Sequence, residues 1–366
     1  MVSLPLSRRK SWANTKYYED PKMNIMNDMN HPGRVRHDGH TAACRPETRR
    51  RILDVLEVCD RISRPRLAEM TGLGVMTVHR AADRLLREGI LTETRGSDPV
   101  TGRMTSLLCP ICPAPVLLAD LTDPGPSVYV ACGMQAPDPA GCIRVTRGQR
   151  DIFFPEDDLR QLIADARSVL LDDVTEVFPA LLMPDTGTFR GLSAVRTVQI
   201  MVEELQAGRL RLLPDGRRRG SVAPVLVMSA EQAACYAAVR APAVRGLRSL
   251  MVVRDGGCGL LTRSQADGAW EAPPLLEGAA RAVREALTLP GENAEGARTL
   301  LSMVTPDAVI CSGDADGEFT ALLRSLLPDG VPVLSSGCPL SQRGILMRAR
   351  RDMWQPPSDP RARHKS

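Results

Sequence analysis

The side chains in this chain whose types and spacing suggest chemistry are mainly hydrogen-bond donors and cations. Gly74, Met76, Thr77, His79 and Arg80 cluster at the start of a helical pattern, the positions from which a recognition helix meets base edges in a DNA major groove. Arg49, Arg50, Arg64, Arg66, Arg95 and Arg103 are spread around them and are of the type that contacts phosphates or arms a wing.

Such groups act only if the backbone presents them together, and the flanking sequence supplies the elements. Ser63 is a good N-cap and Pro65 falls in the first turn of a helix, where its missing N–H does no harm. Leu67, Ala68 and Met70 give that helix a small apolar face. Gly72 stands where a tight turn between two helices needs positive φ or close backbone approach. Val75, Val78, Ala82, Leu85 and Leu86 then recur at three- and four-residue spacing, one buried stripe, and Gly89 caps the second helix. This is a helix-turn-helix.

Two-helix turns are common outside DNA-binding proteins, so the flanks decide. Upstream, Ile52, Val55, Leu56 and Cys59 form the apolar face of a preceding helix. Arg49, Arg50 and Arg51 are expected in its first turn, where they oppose the helix dipole and need another use, such as phosphates. Downstream, Ile90 to Thr94 reads as a strand; Gly96, Asp98, Pro99 and Gly102 supply turn chemistry, and Arg103 to Leu108 returns. Three helices closed by such a hairpin make a winged helix, with Arg95 and Arg103 on the wing.

The chain has 366 residues, enough for two or three domains, with 43% hydrophobic and 25% charged residues, ordinary for a globular protein. With only 3% aromatic residues, its core must rest on Leu, Val, Ala and Ile. A net charge of +4 is too mild to diagnose a nucleic-acid partner; the local clustering of arginine says more. No apolar run approaches the roughly 20 residues a membrane span needs, and the N-terminus lacks the apolar core of a signal peptide. The ten cysteines are scattered, so a reduced, cytoplasmic protein is expected.

Residues 1–45 are polar and without periodicity, and read as a disordered tail; Met23, Met26 and Met29 are alternative starts. The winged helix occupies 46–108 and a Pro-rich linker 109–115. That linker contains Cys109-Pro-Ile-Cys112, but no second pair at zinc spacing follows, only Cys132 and Cys142, so no metal is expected. From Val116 strands and helices alternate: strands at Val116–Leu121, Ser127–Cys132, Cys142–Val145 and Val177–Met183, with helices at Pro155–Leu171 and Val195–Leu205. Arg217-Arg-Arg219 is a solvated loop. Pro224–Met228 opens a second half with further strands at 250–254, 259–262, 308–311 and 331–335. Helices follow at 231–239, 277–287, 318–327 and 340–354. The body, 116–355, is therefore a two-lobed α/β unit with lobes at about 116–222 and 223–340, a closing helix at 340–354, and a tail at 356–366.

The run Arg51-Ile-Leu through Ser63-Arg-Pro-Arg-Leu-Ala, Thr71-Gly-Leu, Thr77-Val, Leu85-Leu-Arg-Glu-Gly-Ile-Leu and Gly102-Arg resembles the N-terminal winged helix of the ROK family, which contains repressors and sugar kinases. The body's order is similar to that family's actin-like, sugar-kinase fold. Val116–Asp120 stands where the first strand of the ATP signature would be, Pro306–Gly313 resembles the late strand and glycine turn, and Gly344–Arg351 the final helix.

The resemblance also shows what is missing. The family pattern Asp-x-Gly-Gly-Thr becomes Asp120-Leu-Thr-Asp-Pro-Gly-Pro126, in which two prolines remove N–H donors and Asp123 repels phosphate. The catalytic Asp of the family's Asn-Asp pair is replaced, with Ser229 and Ala230 at those positions, and neither can take a proton as a carboxylate does. The Glu-x-Gly-His and Cys-rich zinc signatures have no match after Gly268, and Asp255-Gly-Gly-Cys-Gly259 reads as a hairpin turn.

The expectation is a sequence-specific regulator, a repressor, binding double-stranded DNA at a palindromic operator as a homodimer. No catalytic residue, cofactor or membrane contact is implied; a sugar or sugar-phosphate effector is the ligand the resemblance suggests. Two alternatives remain open at this point: a sugar kinase with a DNA-binding head, and a winged-helix scaffold that binds protein.

Overall fold

The computed structural model describes residues 46–59, 61–98, 102–122, 126–131, 142–146, 155–170, 174–213, 225–244, 246–254, 257–265, 269–272, 281–283, 285–286, 294–312, 317–336 and 339–354. Both tails, the Arg217–Arg219 run, Pro99, Cys132, Gly313, the residues 123–125 and 255–256 of the sequence-predicted turns, and residues 277–280, 284 and 287 of the helix expected at 277–287 lie outside them.

The N-terminal unit contains α1 (Pro46–Leu56), β1 (Ile62–Ser63), α2 (Arg64–Thr71), α3 (Val75–Arg87), β2 (Leu91–Ser97) and β3 (Met104–Pro110). β2 and β3 form an antiparallel hairpin from Leu91↔Pro110 to Ser97↔Met104, and β1 adds to the outer edge of β3 through Ile62↔Leu108 and Ser63↔Leu107. The three helices and this small sheet close on Ile52, Leu56, Leu67, Val78, Ala82, Leu85 and Leu108, all buried. That is a winged helix-turn-helix, as the sequence predicts.

The body is built on two sheets with one pair of helices between them. The first holds β4 (Val116–Asp120), β5 (Ser127–Ala131), β6 (Ile143–Thr146), β7 (Glu176–Met183), β10 (Arg211–Leu212) and β11 (Leu226–Ser229). β4, β10 and β11 all run parallel to β7, while β5 and β6 are antiparallel. Between them in sequence lie α4 (Pro155–Ser168), the small β8–β9 hairpin (Thr188–Phe189, Leu192–Ser193) and α5 (Ala194–Ala207). The second sheet has the order β14 (Trp270–Glu271), β13 (Gly257–Arg263), β12 (Ser249–Arg254), β15 (Ala308–Cys311), β16 (Val333–Ser335). Its helices are α7 (Ala294–Val304) and α8 (Gly317–Leu326).

Strand periodicity explains this layering. In β4, Leu117 and Ala119 face α4 and α5, packing with Leu159, Ile163, Ile200 and Met201; Val116 and Leu118 point to the opposite face. There they meet α6 (Ala230–Ala238) and α9 (Leu340–Met353) through Ala233, Ile345, Leu346 and Ala349. β12 repeats the logic: Met251 and Val253 face α7 and α8, whereas Leu250 and Val252 face Ala234, Ala238, Leu340 and Met347 of α6 and α9. A strand buried on both faces has no polar alternation to show, hence the unbroken apolar runs.

The two central helices approach closely because small residues line their crossing. A Cβ placed on Gly344 would lie 1.8 Å from the Ala233 carbonyl oxygen. Beyond the crossing α9 continues into the winged helix, where Trp354 is only 2% exposed and its indole N–H donates to the Ile111 carbonyl at 2.8 Å.

Several boundaries differ from the sequence expectation, and the helix Ala294–Val304 was not expected. Gly96, expected in the turn, is the sixth residue of β2, pressed so closely on Leu107 that a Cβ would stand 3.1 Å from its side chain. Cys109 and Pro110, expected in the linker, complete β3; the Cys109 thiol is buried against the Thr94 hydroxyl at 3.2 Å. β11, expected to open the second lobe, pairs with β7 and so completes the first. The remaining linker is held at both ends: the Ile111 N–H donates to Ile90 O at 2.9 Å, and Phe178 N–H to Pro115 O at 2.8 Å.

Candidate nucleic-acid interface

The helix-turn-helix forms as its caps dictate. Ser63 is the N-cap residue of α2, with extended backbone but no side-chain capping bond, and Pro65 lies in the first turn. Gly72 ends the helix in the left-handed region at φ 65°, a conformation a Cβ would resist. α3 starts at the N-cap Gly74 and ends where Gly89, at φ 71°, lets the Ile90 N–H reach back to Leu85 O at 3.0 Å. The buried face of α3 is Val78, Ala81, Ala82 and Leu85. Val75 does not belong to it: it is 53% exposed, because the first residue of α3 precedes the turn that packs on α1 and α2, and Ala81 fills the stripe instead.

The outward ridge of α3 is Met76, Arg80, Asp83 and Arg87, all exposed, at spacings of four, three and four residues. Thr77 is exposed beside it, and Arg80 makes no ion pair among the described residues. His79 is half-buried, with Nδ1 3.1 Å from an Arg64 guanidinium nitrogen. Arginine only donates, so Nδ1 accepts and the imidazole carries its proton on Nε2, leaving His79 an N–H donor on the other edge of the ring.

Arg64 is the hub of the unit. From the first position of α2, and only 16% exposed, it reaches His79, Asp83 Oδ1 at 3.0 Å and Glu93 Oε1 at 3.4 Å. Helix α2, helix α3 and strand β2 are thereby tied by one guanidinium, which fixes α3 relative to the wing. At the wing turn, Asp98 N–H donates to Arg103 O and Gly102 N–H to Asp98 O, each at 2.8 Å, with Gly102 at φ 69°. Arg95 and Arg103 are exposed on this hairpin.

The remaining sequence-predicted arginines are engaged within the fold. α1 begins at Pro46, so Glu47 enters its first turn ahead of Arg49, while Arg50 and Arg51 fall in the second turn, and Glu47 offsets the dipole conflict expected for the three arginines. Arg51 and Arg50 pair with Glu47, whose carboxyl is held below its ordinary range chiefly by the Arg51 hydrogen bond. Arg49 pairs with Glu88 and donates to the Trp354 carbonyl at 3.2 Å. Burial alone would raise Glu88, but Arg49 and Arg84 together outweigh it and hold the carboxyl low. Arg66 pairs with Glu69 at 2.6 Å.

Sequence reasoning did not foresee a buried charge cluster beneath the winged helix. Glu57, fully buried just after α1, accepts from Arg240 Nε at 2.6 Å and Tyr236 Oη at 3.2 Å, both on or next to α6, and lies 3.3 Å from Arg351 Nε on α9. Arg351 also reaches Asp54 at 3.1 Å, and the Arg240 guanidinium stacks on the Tyr236 ring at 3.5 Å. Burial pushes the Glu57 carboxyl above its ordinary range, against the pull of Arg240 and Arg351. Its one sequence signal is an acid falling at the end of an apolar helical stripe.

In the body, Asp120 is fully buried. Its Oδ1 accepts from the Thr122 N–H at 2.9 Å and hydroxyl at 2.6 Å, and Oδ2 from Gln342 Nε2 of α9 at 2.6 Å; Gln342 also reaches the Tyr129 hydroxyl at 2.9 Å. Ser229 is the N-cap of α6 in a capping box with Gln232, and Ala230 behind it is buried. The α6 start is further tied to Asp185, which accepts from the Glu231 N–H at 2.8 Å and pairs with Arg254. Among the described residues no three His, Cys, Asp or Glu side chains gather as a metal site would require, and no helix is long and apolar enough to cross a membrane.

A fold of three helices and a wing, with an open ridge on the second helix of the turn, defines a winged helix-turn-helix of the DNA-binding class. Residues 45–92 match the family model of that description, winged helix-turn-helix DNA-binding. No curated protein matches the chain. Solved structures similar to it include a ROK family transcriptional regulator, a homolog of the E. coli MLC protein, at 13% identity and TM-score 0.45, covering 84% of this chain and 97% of that one. They also include an inorganic polyphosphate/ATP-glucomannokinase from Arthrobacter sp. strain KM, at 16% identity and TM-score 0.38, over 66% and 98% of the two chains. The ROK hexokinase from Thermus thermophilus aligns at 15% identity and TM-score 0.31, over 65% and 98%.

Proposed function

We propose that this chain is a transcriptional repressor of the cytoplasm that binds a palindromic operator as a homodimer, with a body that takes an effector or dimerises and does not phosphorylate. The observation that carries the reading is the exposed ridge of α3, held to the wing by Arg64, in a segment that matches DNA-binding winged helices. Gly74, Met76, Thr77, His79 and Arg80 face the bases; Arg95 and Arg103 attend the wing. Arg49, Arg50, Arg64 and Arg66 act by shaping the domain and its local field, since each is paired within it. A two-fold axis through the bodies would space two recognition helices on one face of DNA.

The non-catalytic reading of the body rests on two positions. The Asp120 carboxylate is occupied by Thr122 and Gln342, and the position expected of a catalytic base is a buried alanine behind a helix cap. A sugar or sugar-phosphate effector is part of the proposal; no metal or cofactor is.

The test is selection of duplexes from a random library by the full chain, followed by affinity measurements at several salt concentrations against a scrambled duplex. A selected palindrome whose preference survives higher salt supports the repressor. Equal binding to both duplexes, fading steeply with salt, reduces the interface to phosphate attraction and sinks it. ADP release with hexoses or amino sugars would overturn the non-catalytic body.

A further inference from the structure

Resting on the DNA-binding reading, we infer that Val75 and Met76 read thymine through its 5-methyl group. Large apolar side chains exposed among the described residues are Val75, Met76, Met104, Val195, Val227 and Met303. Two of them are consecutive and form the first two residues of α3, Met76 being 66% exposed. Val75 has the three-residue spacing of the buried stripe yet lies outside it, so the pair is not surplus core. Leaving two such groups in water gains the fold nothing, which points to a use on the outside.

Their position selects that use. The start of a recognition helix is the part that reaches furthest into the major groove. There the bases present donors and acceptors, which Val and Met cannot answer, and one apolar group, the thymine methyl, which they can. Access is open: Gly74 precedes them at an ordinary φ of −62°, and a Cβ there would meet nothing nearer than the Thr77 hydroxyl at 3.9 Å. The fold does not demand glycine at this N-cap, and its bareness lets the DNA edge come close. Arg80, one turn on from Met76, supplies the polar partner for a neighbouring base. The methyl of 5-methylcytosine is the same group, so the library must be unmethylated to isolate thymine.

The experiment uses the full chain and the duplex it selects from an unmethylated random library. Each thymine of that duplex is replaced in turn by uracil, which differs only by the methyl. Affinity should fall about fourfold at one or two positions in each half-site, the size of one methyl removed from a buried contact. In Met76→Ala or Val75→Ala, the corresponding position should become indifferent to uracil while the others keep their effect. Uracil tolerated at every position, or a uracil loss undiminished in both variants, overturns the inference and leaves the regulator standing. Failure to select any duplex is a different result: it removes the DNA-binding reading and this inference with it.

Discussion

Arg64 and Asp83, on consecutive helices of the turn, face each other at 3.0 Å, with His79 and Glu93 on the same guanidinium. Asp83 sits on the outward ridge of α3, and on the proposed DNA-binding reading a bare carboxylate there would repel phosphate; Arg64 neutralises it from behind. Arg64→Ala should therefore cost only about 1–2 kcal/mol of stability, since Asp83 is over half exposed, yet weaken both specific and non-specific DNA affinity. Arg64→Lys should not restore it, because an ammonium cannot serve three partners in fixed directions. Melting curves beside duplex titrations separate the two effects; an affinity unchanged in Arg64→Ala would refute this role.

Arg80 projects from the same ridge without an internal partner among the described residues. Arg80→Ala should lower affinity for the selected duplex by about 1–3 kcal/mol and barely alter affinity for a scrambled one. Equal losses on both would demote Arg80 to a phosphate contact.

The Glu57 cluster makes a prediction of another kind. Glu57→Ala removes the buried carboxylate that Arg240 and Arg351 share and should cost about 3 kcal/mol or more, read as a fall in the unfolding midpoint. Glu57→Gln keeps a hydrogen-bond acceptor and should cost less. If the two variants melt together, the loss is that of the charge, and the packing and hydrogen bond that the amide keeps contribute nothing.

Gly344 is fixed by the α6–α9 crossing. Gly344→Ala puts a methyl against the Ala233 carbonyl, a backbone atom that cannot rotate away, so the helices must separate. A loss of about 1–3 kcal/mol is expected from overpacking. Because both sheets rest on this helix pair, denaturation should show the whole body weakened in one transition rather than a single lobe.

Acid stability follows from the paired carboxylates. Glu47, Glu88 and Glu156, the last accepting from the Arg196 guanidinium of α5, have folded pKa values below the ordinary 4.5, and Asp307, bonded by the Arg248 and Ser249 amides, lies below 3.8. Each contributes stability that is fully present above its unfolded value and is lost as pH falls through the lowered folded value. Glu57 has the opposite sign: its raised pKa favours the fold at low pH, a contribution lost as pH rises through the folded value. Unfolding free energy should thus decline as pH falls below about 5, and Glu88→Gln should flatten that decline. A decline as steep in the variant as in the parent would show that Glu88 is not among its causes.

The sequence makes the winged helix legible because its signals are local. Gly72 and Gly89 mark turns by backbone need, and Val78, Ala82 and Leu85 mark a face by period. Exposure of Val75 was illegible, since three-residue spacing says which side a residue is on and not whether a neighbour covers it. The partners of Arg49, Arg64 and Glu57 were hidden for a related reason: each lies far along the chain, and ion pairing leaves no periodic trace. The assignment of β11 to the first sheet likewise depends on which strand it meets, and an apolar run carries no such address.

Trp354 completes the core of a domain whose other core residues lie between Ile52 and Leu108. During synthesis the winged helix leaves the ribosome early, but the indole that fills its base and bonds to Ile111 arrives only with the last helix of the body. The winged helix, made before the body, is therefore finished only once α9 has been made. A chain cut short before α9 would carry a DNA-binding head with a hole in it.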